Sequence, residues 1–255
     1  FRSITAKFHD AEKRLLLLDY DGTLASFAHR PEKAQPDREL ISLLKDLAKD
    51  EKNHAAVISG RDKNTLDKWL SDLNLIIVAE HGGWIKFPGE NWQTQAHHAN
   101  SETAWKNEIK TILELAVDRT PGSLQEKKDF SLVWHYRQSS PDLKQRRLEE
   151  LRETITDYAG NMGIGVFEGA QVLEVKRYEI NKGRVAELLL GRDCYDFVLA
   201  VGDDYTDEDM FTALNDKAVT VKVGRELSQA EFNVTSVRAV RELLKRLISG
   251  QHGQE

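Results

Sequence analysis

The segment LLLLDYDGTL, residues 15–24, decides the fold of this chain. Its four leucines predict a short strand that is buried on both faces, as is typical of a parallel sheet covered by helices. Asp19 and Asp21 follow directly, and Gly22 allows a sharp turn at which both carboxylates can converge on one cation. Asp-Gly is also a common turn dipeptide, so this segment alone does not distinguish a site from a turn.

Four further apolar runs, at residues 55–58, 75–79, 197–201 and 219–223, have the length and β-branched content of buried strands. Helix-like segments separate them, and in the first of these Leu40, Leu43, Leu44 and Leu47 share one face. This alternation predicts an α/β fold with a doubly wound parallel sheet. In such sheets ligands bind at the carboxyl ends of the strands.

The middle of the chain has a different pattern. Amphipathic helices are predicted at residues 101–116 and 141–158, and half-polar strands at 130–137, 164–167 and 172–176. We therefore expect a discontinuous core domain at residues 1–89 and 178–249, interrupted by a smaller α+β domain at 90–177. The crossings at 87–93 and 177–181 are the expected hinges, and residues 250–255 are expected to be a flexible tail.

Composition limits the possible functions. The 255 residues include 42 acidic and 36 basic side chains, and the net charge of −6 argues against nucleic-acid binding driven by bulk charge. No apolar stretch approaches the roughly 20 residues of a membrane helix. The single cysteine, Cys194, excludes an intramolecular disulfide and a cysteine-based zinc site, which fits a reducing compartment such as the cytoplasm. Since the sequence starts at Phe1, we expect a mature form or a domain of a longer protein.

The acidity is concentrated in two short segments. Asp19 and Asp21 form one, and the stretch GDDYTDEDMF at residues 202–211 contributes five more carboxylates; removing these seven from the net charge of −6 leaves +1. Thr206 with Asp209 resembles a capping box, which would account for the acidic residues at 207–209. Asp203 and Asp204 precede that cap, so a hard cation with oxygen ligands, such as Mg²⁺, explains them better.

Two other predicted strand or helix ends carry polar groups. ISGR at residues 58–61 offers the Ser59 hydroxyl and backbone N–H groups to an anion, although alone it reads as an ordinary loop. Lys182 lies where a helix is predicted to begin, and a cation there opposes the helix dipole. Its position indicates that it pairs with a phosphate or a carboxylate.

Taken together, these residues resemble a known family. DYDGT at 19–23, Ser59, Lys182 and GDD at 202–204 occur in the order of the four motifs of the haloacid-dehalogenase-like phosphohydrolases. AEHGG at 79–83, HYR at 135–137 and VLEV at 172–175 make the chain similar to one branch, the trehalose-6-phosphate phosphatases. The sequence departs from that branch at KRY, residues 176–178, where the branch often has arginine and then proline.

The resemblance implies a Rossmann-like hydrolase core with an inserted cap, and it implies a mechanism. Asp19 would attack phosphorus to form an aspartyl-phosphate, and Asp21 would act as acid and then base. Mg²⁺ would be held by Asp19, Asp203 and the backbone carbonyl of Asp21. Ser59 and Lys182 would hold the phosphoryl oxygens. Asp204 and Asp207 would orient the metal ligands without touching the ion.

Substrate choice is expected to come from the inserted domain. Strand alternation places Ser131, Val133, His135 and Arg137 on one face, and a solvated sheet face is the simplest explanation of that pattern. The resemblance implies instead that disaccharide contacts come from this domain. The residues that match are Glu126, His135, Arg137 and Glu174, with Arg61 of the core also binding substrate and with Gln171 and Lys176 as further candidates.

Three other interpretations stay open from the sequence. The chain could act on another sugar phosphate, such as sucrose phosphate or a mannosyl phosphate, or it could be a non-catalytic sensing domain of a trehalose-phosphate synthase fusion. His81 could be an acid or base, but a histidine beside two glycines is at least as often structural. The resemblance also implies a covalently linked or associated synthase domain as a partner.

Overall fold

The computed structural model describes residues 2–28, 33–94, 102–169 and 171–249. The chain divides into two compact units. Unit 1 consists of Phe1–Gln93 and Asn181–Glu255, and unit 2 consists of Thr94–Ile180. The tail expected to be flexible, residues 250–255, lies outside the described residues.

Unit 1 is built on an eight-stranded sheet. Its strands are β1 (Arg14–Asp19), β2 (Asn53–Ile58), β3 (Ile76–Ala79), β4 (Trp84–Lys86), β5 (Gln93–Thr94), β10 (Phe197–Gly202), β11 (Val219–Val223) and β12 (Phe232–Val234). Their order across the sheet is β12-β11-β10-β1-β2-β3-β4-β5. The six strands from β12 to β3 run parallel, and β4 pairs with β3 antiparallel. The predicted α/β fold with a parallel sheet is confirmed.

Helices cover both faces of this sheet. They are α1 (Arg2–Asp10), α2 (Arg38–Lys49), α3 (Lys63–Leu70), α6 (Lys182–Leu190), α7 (Tyr205–Leu214) and α8 (Val237–Ser249). Leu16 and Leu18 of β1 pack into the apolar cluster that α1, α2, α3 and α8 line. Leu15 and Leu17 pack into the cluster on the other face, which α6 and α7 line. Because both faces of β1 are buried, its four consecutive leucines are all in the core.

Unit 2 is an antiparallel α+β unit. It contains α4 (Glu102–Asp118), β6 (Leu124–Lys127), β7 (Ser131–His135), α5 (Pro141–Ala159), β8 (Ile164–Gly169) and β9 (Val172–Arg177). The strand order is β6-β7-β9-β8, with every neighbouring pair antiparallel. Leu132 and Trp134 of β7 and Leu173 and Val175 of β9 pack against apolar side chains of both helices. The other face of the sheet therefore lies away from the helices.

That other face is the one predicted to be polar. The register pairs Val133 with Glu174 and Ser131 with Lys176, and opposite residues in a ladder share a face. Glu126 pairs with Val133, so it lies on the same face. We call the side chains of Glu126, Ser131, His135, Glu174 and Lys176 the polar face of unit 2.

None of the helices in the described ranges combines the length and apolar content that crossing a bilayer requires.

Candidate active site

The carboxyl ends of the central strands of unit 1 bring the first acidic segment, Ser59 and the second acidic segment together. Asp19 is the last residue of β1, Ser59 follows β2, and Asp203 follows β10. Since β10 and β2 flank β1 and all three run parallel, these residues meet at one edge of the sheet. Lys182, the first residue of α6, reaches the same edge.

Lys182 is the centre of a buried ion cluster. Its Nζ donates to Asp19 Oδ1 at 2.6 Å and to Asp207 Oδ1 at 2.8 Å. All three residues are buried: Asp19 is 4% exposed, Lys182 is 2% exposed and Asp207 is 0% exposed. The position of Lys182 at a helix start is thereby explained, because the ammonium pairs with two carboxylates. We call Asp19, Lys182, Asp203 and Asp207 the strand-end cluster.

The cluster holds more negative than positive charge. One carboxylate oxygen of each of Asp19, Asp203 and Asp207 lies within 4.8 Å of the other two. No other three His, Cys, Asp or Glu side chains approach this closely in the part of the chain that the structure describes. Asp19 Oδ2 is buried and receives no hydrogen bond. Three carboxylates, one of them with an unpartnered oxygen, fit a hard divalent cation with oxygen ligands.

Burial is the largest single influence on the pKa values of Asp19, Asp203 and Lys182. Burial raises the pKa of Asp19 well above its usual range, and the neighbouring Asp207 and Asp203 carboxylates raise it further although Lys182 opposes them. Burial, and then Asp207, raise the pKa of Asp203 to about 7. Burial alone would lower the pKa of Lys182, but the Asp19 and Asp207 carboxylates outweigh it and raise that pKa. A lysine bound in this way keeps its charge.

The cap of α7 differs from the prediction. Asp204, not Thr206, is the N-cap residue, and its side chain forms a capping box with Asp207. Asp207 Oδ2 accepts from the backbone N–H groups of Asp203 and Asp204, at 2.9 and 3.0 Å. The prediction that capping leaves Asp204 unexplained was therefore wrong. Thr206 and Asp204 are both good caps, and the extended backbone at Asp204 decides between them.

Asp21 is not part of the strand-end cluster, because its carboxylate pairs with Arg61. Arg61 Nε donates to Asp21 Oδ2 at 2.8 Å, and Nη2 donates to Oδ1 at 2.6 Å. The guanidinium also lies 4.7 Å from the ring centre of Trp69. The prediction that the backbone carbonyl of Asp21 binds the metal concerns a different atom and stays a prediction.

The loop that follows Asp19 packs tightly against Asp203. Gly22 has a φ of +84°, and a Cβ there would lie 2.0 Å from Asp203 Oδ2. Thr23 Oγ1 lies 3.4 Å from Asp203 Oδ1. Only glycine can adopt this backbone conformation and also leave room for the Asp203 carboxylate. Gly22 is therefore required both by the turn and by the position of the Asp203 side chain.

Ser59 and His81, which follow β2 and β3, form contacts that connect neighbouring loops. Ser59 is buried, and its Oγ accepts from the Arg61 backbone N–H at 3.2 Å. The His81 N–H donates to the Ser59 carbonyl at 3.0 Å, and the His81 ring lies so close to Gly60 that a Cβ there would be 2.4 Å from Nε2. These contacts support the structural interpretation of His81.

On the polar face of unit 2, four of the predicted residues form two pairs. His135 Nε2 lies 2.7 Å from Glu126 Oε2. Glu174 is only 6% exposed; its Oε1 accepts from Ser131 Oγ at 2.7 Å, and its Oε2 lies 3.7 Å from Lys176 Nζ. Ser131 was not predicted as a site residue, and it donates the hydrogen bond to Glu174, a candidate substrate-binding residue.

Arg137 lies outside the strand on which it was predicted. Strand β7 ends at His135, and Arg137 occupies the following turn with an exposed side chain. Strand alternation therefore does not place it beside His135. Gln171 lies in the turn between β8 and β9, with a φ of +70°, and accepts from Lys144 Nζ at 3.0 Å.

Comparisons with known proteins show the family to which this chain belongs. A family model described as trehalose-phosphatase matches residues 17–245. The alpha,alpha-trehalose-phosphate synthase B of Dictyostelium discoideum is 39% identical over 97% of this chain and 32% of its own length. The bifunctional trehalose-6-phosphate synthase/phosphatase of Thermoproteus tenax is 37% identical over 96% of this chain and 33% of its own length. The chain thus spans about a third of these two relatives.

Among solved structures, the C-terminal domain of the C. albicans trehalose-6-phosphate phosphatase matches with a TM-score of 0.90 and 30% identity. The match covers 97% of this chain and 96% of that domain.

Proposed function

The chain belongs to the trehalose-phosphatase family, and from that premise we propose that it hydrolyses trehalose 6-phosphate to trehalose and phosphate with the help of Mg²⁺. The observation that carries the proposal is the strand-end cluster. It places a buried carboxylate with an unpartnered oxygen, Asp19 Oδ2, beside two further carboxylates and a lysine. A nucleophile, a cation site and a phosphate-binding cation are the parts that phosphoryl transfer needs.

Asp19 is the nucleophile in this proposal. A carboxylate oxygen of Asp19 attacks phosphorus, and the bond between phosphorus and the sugar oxygen breaks. The sugar oxygen takes a proton from Asp21 as it leaves. A water molecule then attacks the aspartyl-phosphate and gives its proton to Asp21, which releases phosphate and restores Asp19.

Arg61 bears on the acid role of Asp21. The guanidinium binds both carboxylate oxygens of Asp21, whereas the first step needs one of them to face the sugar oxygen. The substrate phosphate is itself a bidentate partner for arginine. Competition for Arg61 by the phosphate would free the Asp21 carboxyl group to face the leaving sugar oxygen. This would unite the acid role predicted for Asp21 with the substrate-binding role predicted for Arg61.

The carboxylates of the strand-end cluster suit Mg²⁺, and Asp19, Asp203 and the backbone carbonyl of Asp21 would hold it. When bound it neutralises charge between the Asp19 carboxylate and the phosphate, which otherwise repel one another. Asp207 already accepts from Lys182 and from two backbone N–H groups, so its role is to orient, as is that of the N-cap residue Asp204. Ser59 and Lys182 hold the phosphoryl oxygens.

The disaccharide is recognised by unit 2, in which Glu126, His135, Arg137 and Glu174 contact sugar hydroxyls. Support comes from the carboxylate, imidazole and ammonium groups that the polar face presents. We assign this unit the role of the cap predicted at residues 90–177. A synthase domain, linked or associated, is the partner suggested by the names of the relatives, and a cytoplasmic location stays a prediction.

A phosphate-release panel tests the proposal. The chain is incubated with trehalose 6-phosphate, sucrose 6-phosphate, mannose 6-phosphate and glucose 6-phosphate, with Mg²⁺, with EDTA, and with Mg²⁺ restored after EDTA. We expect trehalose 6-phosphate to give the highest kcat/KM by a wide margin and EDTA to stop release reversibly. Preference for another sugar phosphate would overturn the substrate. Absence of release from every substrate would favour the non-catalytic alternative.

A further inference from the structure

Tyr178 is an exposed aromatic residue with a built support beneath it. It follows β9 in unit 2 and is 60% exposed. Its ring lies over Gly165 of β8, so close that a Cβ on this glycine would be 2.5 Å from Cε1 and 2.7 Å from Cζ. Isolated exposed aromatic residues need no explanation, but a ring seated on a glycine does.

Gly165 is not required by its own backbone. It lies inside a strand and is absent from the glycines with positive φ, so any residue could adopt its conformation. Glycine weakens a strand interior and often marks a place that another group approaches closely. Two aromatic rings approach here: the Tyr178 ring lies nearest, and Phe167 Cε2 would be 2.9 Å from a Cβ on Gly165.

Two other contacts fix the ring. The Phe167 ring meets it edge to face, with centroids 5.7 Å apart and an interplanar angle of 71°. The backbone N–H of Tyr178 donates to the Gly163 carbonyl at 3.0 Å. An aromatic side chain held from below and from one side loses little conformational entropy when a ligand covers its open face.

The neighbours of the ring belong to the polar face of unit 2. Gly165 pairs with Lys176 in the β8–β9 ladder, and Phe167 pairs with Glu174. Lys176 Nζ lies 5.0 Å from the Phe167 ring centre. The aromatic support, the ammonium and the carboxylate therefore occupy adjacent positions on one face of one sheet.

Sugar rings combine apolar C–H faces with hydroxyl edges, so an aromatic face beside charged hydrogen-bonding groups suits both parts. We propose that Tyr178, seated on Gly165, is a stacking platform for a glucose ring of the disaccharide and sets specificity for it. The inference rests on the proposed function for the identity of the sugar.

Four variants test the platform. Tyr178→Ala removes the ring, and Tyr178→Phe keeps it. Gly165→Ala does not change Tyr178 itself, but the added methyl group displaces the Tyr178 ring from its present position. Tyr158→Ala, an exposed tyrosine on α5, is the matched control because it lies in the helical layer. Thermal unfolding verifies that each variant is folded.

Calorimetric titration with trehalose measures binding without catalysis. We expect the Kd to rise roughly five- to tenfold in Tyr178→Ala and in Gly165→Ala, and to stay near the wild-type value in Tyr178→Phe and Tyr158→Ala. In kinetics, the ratio of kcat/KM for trehalose 6-phosphate to that for acetyl phosphate, which has no ring, should fall by the same factor. Unchanged trehalose binding in folded Tyr178→Ala would overturn the inference.

The two proposals fail in different ways. If the wild-type chain binds trehalose through Tyr178 but releases no phosphate, the platform stands and the proposed hydrolysis falls. If it hydrolyses trehalose 6-phosphate and Tyr178→Ala leaves both the Kd and the rate ratio unchanged, hydrolysis stands and the platform falls.

Discussion

Unit 1 and unit 2 each bury charged side chains, but the balance of charge differs between them. The strand-end cluster contains three carboxylates and one ammonium group, that of Lys182, which pairs with Asp19 and Asp207. On the polar face of unit 2 the single buried carboxylate of Glu174 has two ammonium groups near it, at 3.7 Å for Lys176 and 4.0 Å for Lys128. The first arrangement leaves negative charge that a metal cation can neutralise, whereas in the second the positive charge exceeds the negative charge.

The difference follows from where the charges lie in each sheet. Parallel strands end at one edge of unit 1, so residues that follow different strands converge there. In unit 2 the charges lie along antiparallel strands. Glu126 and His135 pair between neighbouring strands, whereas Glu174 and Lys176 pair along the single strand β9. Glu174 and Lys176 are buried about as deeply as the strand-end cluster, so the chemistry of the neighbours, not the depth, separates the proposed catalytic site from this part of the proposed binding face.

The largest expected effect is that of Asp19→Asn. The amide cannot attack phosphorus, so we expect kcat for trehalose 6-phosphate to fall at least about a thousandfold while the fold is retained. Phosphate release measures kcat, and circular dichroism measures whether the fold is retained. The control is Asp193→Asn, an exposed carboxylate that pairs with Lys13. Near-wild-type turnover in Asp19→Asn would exclude this nucleophile.

Lys182→Met is expected to affect stability most. It leaves the buried carboxylates of Asp19 and Asp207 without their cation, and breaking a buried pair in this way costs about 3–5 kcal/mol of unfolding free energy. Urea unfolding in EDTA measures the loss. Lys245→Met, which breaks only exposed pairs with Glu39 and Glu242, should change stability little. Equal losses in the two variants would contradict the special position of Lys182.

A smaller effect is expected for Ser131→Ala on the polar face. Removing the hydroxyl frees Glu174 Oε1 from its 2.7 Å hydrogen bond, and we expect KM for trehalose 6-phosphate to rise about tenfold with little change in kcat. Ser131→Thr keeps the hydroxyl and should restore KM. A loss of thermal stability without a change in KM would make Ser131 structural only.

The smallest effect is expected for Glu126→Gln. Its pair with His135 is partly exposed, with side-chain exposures of 41% for Glu126 and 26% for His135, so its contribution to stability is below about 1 kcal/mol. We expect a rise in KM for trehalose 6-phosphate of roughly threefold, within the range of one exposed hydrogen bond. Glu153→Gln on α5 is the control. A large loss of stability in Glu126→Gln would remove the contrast between the two units.

Much of the site could be predicted because its signals are local. Asp19, Ser59 and Asp203 each follow a run of buried apolar residues, and their convergence follows from the parallel order of the strands. The cap of α7 was misplaced because Asp204 and Thr206 are equally suitable by residue type. Arg137 was misplaced because strand alternation does not indicate where a strand stops.

Other features depend on residues far apart in sequence. The pairs Asp21–Arg61 and Ser131–Glu174 join side chains 40 and 43 positions apart, and the seat of Tyr178 on Gly165 depends on the β8–β9 register. No periodicity within one segment contains that information.

The sequence by itself determined the α/β fold, and it predicted an inserted α+β unit and the strand-end residues, since hydrophobic period and chain order are properties of short segments. The tertiary structure alone decided that Lys182 neutralises Asp19 and Asp207, that Asp21 pairs with Arg61, and that Tyr178 lies on Gly165. These contacts depend on ladder register and on burial, which exist only once distant segments have packed together.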